Sequence, residues 1–135
     1  MHIPSITAFY LAVLALLYVV LSLQVIRLRR ANRAAFGDSG NIALRSAIRA
    51  HAHFAEYVPI ILIMAAMLEM SGLAAMRIHF LMGALLIARL LHPLGMHAKP
   101  GSLQFSIGRV GGMVVTSFVM IACALLILKQ VLLSG

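Results

Sequence analysis

From Ser5 to Ile26 the chain carries no charged side chain, and only Ser, Thr and Gln interrupt its aliphatic and aromatic residues. At 1.5 Å per residue a helix over this run crosses a hydrocarbon core of about 30 Å. Inside lipid a backbone has no water to bond to, so a spanning segment of this kind must be helical and its partners must be helices too. Three further apolar stretches follow, and the pattern predicts helices over about 5–27, 42–70, 74–92 and 103–133. The expected fold class is all-α: an integral membrane four-helix bundle of up-down topology, one domain over 1–135. Composition agrees, since 63% of residues are hydrophobic and 10% charged, where a soluble domain carries about a quarter charged residues. No Lys or Arg precedes the first run and no small-residue cleavage site follows it, so it reads as a retained span rather than a signal peptide.

The charges are unevenly placed. Eleven Lys and Arg face three acids, Asp38, Glu56 and Glu69, for a net +8. The cations flank apolar spans instead of alternating with exposed aromatics, which argues against nucleic acid as a partner. Arg27, Arg29, Arg30, Arg33, Arg45 and Arg49 bracket the first loop, so the positive-inside rule makes loops 1 and 3 cytoplasmic and puts both termini outside. Asp38, Ser39 or Asn41 is expected to cap the second helix. Pro59 predicts a kink in it, and Ser71-Gly72 ends it in a tight turn flanked by a surface ion pair of Glu69 with Arg77. His92 to Gly101 is dense in helix breakers and reads as the third loop. Gly108-x-x-x-Gly112, with Gly111, gives the fourth helix a small-residue face. Cys123 lies in an apolar run and reads as a small buried hydrophobe, with no disulfide.

Up-down order brings Arg49, His53, Glu56, Arg89, His92 and Arg109 to one depth. At 100° per residue Glu56 lies about 20° and His53 about 40° from Arg49, so they form one stripe, with His51 turned away. Charge at the mouth of a membrane helix reads as functional when it faces a bundle interior. The alternatives are a structural Arg–Glu pair and, for Arg89, snorkelling to the interface. Guanidinium groups suit carboxylates, and a lone Glu among them suits a ligand that also bears an ammonium group. His51, His79 and His97 read as interfacial or loop residues, and no metal is expected because the arginines repel a cation. An exporter of cations is disfavoured, because the first helix is uncharged and the cluster is arginine-rich.

The stretch Arg49-Ala-His-Ala-His53-Phe-Ala-Glu56-Tyr57-Val-Pro59 resembles the second-helix motif Arg-x-x-x-Asn-x-x-Glu-Tyr-x-Pro of the MAPEG family, the membrane-associated proteins in eicosanoid and glutathione metabolism, and its bacterial branch in particular. Ala88-Arg89-Leu-Leu-His92-Pro-Leu-Gly95 and Arg109 extend the resemblance along the chain. It implies a homotrimer in the lipid bilayer that binds glutathione between subunits and acts as a transferase or peroxidase on lipophilic electrophiles. Arg49 and Glu56 would hold the carboxylates and amino group, Tyr57 would line the pocket with His53, Arg89 and His92, and Arg109 would stabilise the thiolate. The family's Asn is His53 here, and His92 and His97 stand near positions where glutathione-using members carry tyrosines. The alternative reading is a non-catalytic trimeric membrane protein that binds glutathione or another amphiphile.

Overall fold

The computed structural model describes residues 3–99 and 101–134; Pro100, in the expected third loop, and the chain ends Met1, His2 and Gly135 lie outside the described residues. It is all-helical among them, with four helices each long and apolar enough to span a membrane. The first apolar run forms α1, Ser5–Ala31. Its buried residues Thr7, Leu14 and Leu21 recur every seventh position, so one narrow seam faces the bundle. The other faces carry Leu16, Val20 and Leu23, 71%, 59% and 59% exposed, as a wall bathed in lipid requires.

Asn41 starts α2, Ile42–Met70, its side chain accepting from the Leu44 N–H at 2.9 Å. Of the three expected caps it is therefore the one used, while Asp38 pairs with Arg45. The helix runs through Pro59 to Met70 and turns at Gly72, whose φ of 86° favours glycine. The expected Glu69–Arg77 surface pair is corrected here. Glu69 is 8% exposed and accepts from the N–H groups of Ile6 and Thr7 at 2.9 and 2.8 Å and from the Thr7 hydroxyl at 2.7 Å. Helix α1 has no side-chain cap of its own, so its first N–H groups need an outside acceptor, and a carboxylate there also meets the positive helix end.

Helix α3, Ala75–Met96, outlasts its expected end at residue 92 and passes through Pro93. Pro93 forfeits one backbone hydrogen bond, but the turn after it is held by packing, and His97 closes it with Nδ1 2.8 Å from the Pro93 carbonyl. The fourth span, Leu103–Leu133, has three parts: α4 Leu103–Phe105, a π-helical segment Ser106–Gly111, and α5 Gly112–Ser134. Helices α2 and α3 are central, each touching both α1 and α5, which lie on opposite sides. Leu14, Phe54, Ile61, Leu68, Met82, Leu85, Val119 and the fully buried Cys123 fill the core.

Candidate functional site

Three elements converge at the end that bears the first loop. Helix α2 supplies His53 and Tyr57, α3 supplies Arg89 and His92, and the fourth span supplies Arg109, Gly112 and Thr116. The rings of His53 and His92 stack with centroids 5.3 Å apart and planes at 19°, and Tyr57 stands edge-on to His53 at 6.3 Å. His92 is 1% exposed; neither ring nitrogen makes a hydrogen bond, although backbone groups of Gly108 and Arg109 lie beside it. His53 Nδ1 is likewise buried without a partner.

Arg89 does not snorkel. It is 1% exposed, and its Nη2 donates to the Gly112 carbonyl at 3.1 Å and the Thr116 hydroxyl oxygen at 2.6 Å. The Thr116 hydroxyl passes its own proton to the same Gly112 carbonyl at 2.7 Å, so α3 and α5 are joined by one compact network. Arg89 Nε and Nη1 make no hydrogen bond within the chain.

Arg49, Glu56 and Arg109 form an exposed rim around this buried cluster. Each of them, like Arg89, lies near enough to His53 for its charge to act on that ring. No ion pair joins Arg49 to Glu56 among the described residues; the pair that forms on this side of the molecule is Arg45 with Asp38, in the loop. His51 is turned to α1, as the helical wheel predicts: it stacks on Tyr18 at 4.6 Å and its Nε2 lies 3.1 Å from the Ser22 hydroxyl.

The position of Arg109 depends on glycine. A Cβ on Gly95 would meet the Arg109 nitrogen at 2.2 Å, and one on Gly108 would meet the Gly95 Cα at 2.6 Å. Helix α3 and the π-helical segment are thus in backbone contact. Arg109 leaves that contact on the open side, its guanidinium 5.1 Å from the centre of the Phe105 ring. A single π-helical turn inside an α-helix often marks a functional site.

The sequence reading missed Thr116 and the Gly95–Gly108 contact. Thr116 had a faint signal, a hydroxyl one turn beyond Gly112 in a run whose other polar side chain is the adjacent Ser117. Gly108 belongs to the small-residue face on which a close approach is expected, but its partner Gly95 figures only as the end of the family-like stretch, in what reads as loop.

A rim of two guanidiniums and one carboxylate around unpartnered imidazoles can hold a molecule with carboxylate groups and an ammonium, and Arg109 can stabilise an anion at its edge. The sequence matches the MAPEG family over residues 7–129. Inner membrane protein YecN of Escherichia coli K12 is 39% identical over 94 residues, 70% of this chain and 72% of that protein. The YecN of Escherichia coli O6:H1 matches to the same extent. No solved structure gives a significant match.

Proposed function

The chain belongs to the MAPEG family, whose members include membrane glutathione transferases and peroxidases, and from that premise we propose that it binds glutathione at the His53 cluster and activates its thiol. It is a multi-pass inner membrane protein, by its four apolar helices and its YecN relatives. The observation that carries the proposal is the charge pattern: Arg49, Glu56 and Arg109 exposed around one half-buried His53. Glutathione offers a carboxylate, an ammonium and a thiol, which Arg49, Glu56 and Arg109 respectively complement by charge.

In this reading Arg49 takes a carboxylate, Glu56 takes the ammonium, and Tyr57, His53 and His92 line the pocket. Arg89 holds the pocket wall through Gly112 and Thr116. Arg109 faces the thiol sulfur. A free thiol titrates near pH 8.5, and a guanidinium beside it in a water-poor site favours the thiolate. The proton leaves to water, and the sulfur attacks an electrophilic carbon to form a C–S bond, expelling a leaving group or adding across a double bond. With a hydroperoxide, two glutathiones become the disulfide while the peroxide becomes an alcohol and water. The electrophile arrives from lipid. The rim residues are open in one protomer, and a trimer would close the site with the neighbouring subunit, with loops 1 and 3 cytoplasmic by the charge rule.

The test is a glutathione titration of the purified oligomer at neutral pH, followed by thiolate absorbance. The expected result is a saturable signal, lost in Arg109→Ala with the oligomer intact. Absence of the signal in the wild-type protein would leave the second reading, a non-catalytic binder of amphiphiles. That reading draws on His53, whose ring stacks on His92 where the family motif has a smaller Asn.

A further inference from the structure

The first loop is a built structure, and its construction consumes two cations. The Arg29 guanidinium donates to the carbonyls of Ala34, Ala35 and Gly37 at 3.4, 3.4 and 3.0 Å, curling the chain back onto α1. The Asn41 amide donates to Asn32 Oδ1 at 2.9 Å, tying the two helix ends together, and Arg45 pairs with Asp38. Arg27, Arg30 and Arg33 are left exposed, with no carboxylate partner among the described residues. Between them and α2, Phe36 is 90% exposed.

The depth of these groups follows from the opposite end. Glu69 bonded to Thr7 sets the register of α1 against α2. A core of about 30 Å takes about 20 helical residues. Counted from Thr7 this reaches Arg27, and counted back from Glu69 it reaches Arg49. Arg27, Arg30 and Arg33 therefore start at the hydrocarbon boundary and rise into the layer where lipid phosphates lie.

We propose that this loop is a docking surface for the anionic phospholipids of its own leaflet, with Arg27, Arg30 and Arg33 binding phosphate oxygens and Phe36 seated at the headgroup level. Guanidinium forks match phosphate geometry. A cluster of cations immediately beyond a membrane helix attracts anionic headgroups, and aromatic rings settle at that boundary. The surface uses none of the residues assigned to glutathione, so it stands or falls separately.

The test is native mass spectrometry of the full-length protein in neutral detergent, with phosphatidylglycerol and phosphatidylcholine offered in competition at low and high salt. The wild-type protein is expected to retain phosphatidylglycerol in preference, and to lose that preference as salt rises. The Arg27→Gln, Arg30→Gln, Arg33→Gln variant should lose it by about fivefold per arginine. Arg77→Gln, a cation at the opposite end, should leave it unchanged. Equal retention of both lipids by the wild-type protein would overturn the proposal without any variant being needed. A triple variant with unchanged preference would overturn it as well. So would capture of a soluble acidic peptide without lipid preference, which would assign the surface to a protein partner.

Discussion

Arg89 occupies the most demanding environment in the molecule: a guanidinium 1% exposed, bonded through one nitrogen and bare at two. Its network stands on the Thr116 hydroxyl, which accepts from Arg89 and donates to Gly112. Thr116→Val keeps the volume but removes the acceptor, leaving a buried charged donor unmatched. The expected cost is about 1–3 kcal/mol, read as a lower thermal midpoint in detergent and largely restored by Thr116→Ser. Asp38 is the opposite case, a carboxylate at the surface of a loop outside the spans. The Arg45 guanidinium, helped by the Gly40 N–H, holds its carboxyl below the usual value of 3.8. A folded-state pKa below the unfolded one means that the contribution is present above the ordinary carboxylate range and vanishes as pH falls through the lowered value. The thermal midpoints of wild type and Asp38→Asn should therefore differ slightly at neutral pH and converge below pH about 4.

Among the elements, the fourth span is the one whose regularity breaks, and it breaks where the site lies. Six residues, Ser106–Gly111, are π-helical before α5 resumes a regular course. Gly108 in that segment abuts Gly95, and an added Cβ would stand 2.6 Å from the Gly95 Cα and 2.7 Å from the Leu91 carbonyl oxygen. Backbone atoms at that distance have no rotamer by which to yield. Gly108→Ala should force α3 and the π-helical segment apart, at a cost of about 1–3 kcal/mol, and displace the adjacent Arg109. The check is paired: a lower thermal midpoint together with a weaker thiolate signal at saturating glutathione. A lower midpoint with an unchanged signal would remove the segment from the placement of Arg109. The residues around Pro93 were misread for a related reason. Proline, glycine and histidine in one run are local signals of a loop, but the close contact of Gly95 with Gly108 and the His97 bond to Pro93 keep the helix going to Met96.

At the scale of the molecule, most cations gather at one end while Glu69 closes the other against α1. That polarity predicts the orientation in the membrane, and the chain is suited to testing it. Its single cysteine, Cys123, is fully buried, so an added thiol is the only one a reagent will reach. Ser39, exposed in the first loop, is the place for it. A membrane-impermeant maleimide should label Ser39→Cys only after the inner membrane is opened. Labelling in cells with only the outer membrane permeabilised would place this loop outside and reverse the topology.

Sequence alone determined the class of fold, because four predominantly apolar runs of spanning length must be helical in lipid. It also determined the depth shared by Arg49, His53, Glu56, Arg89, His92 and Arg109, since up-down order and helical rise are one-dimensional quantities. The tertiary structure decided which of these face inward. It buried Arg89 and His92, left Arg49, Glu56 and Arg109 on an open rim, and gave Glu69 to α1 instead of Arg77. Those outcomes depend on how far each helix is rotated and how closely its backbone can approach the next. Both are fixed by contacts between residues far apart in the chain, such as Gly95 with Gly108 and Glu69 with Thr7, which no local pattern encodes.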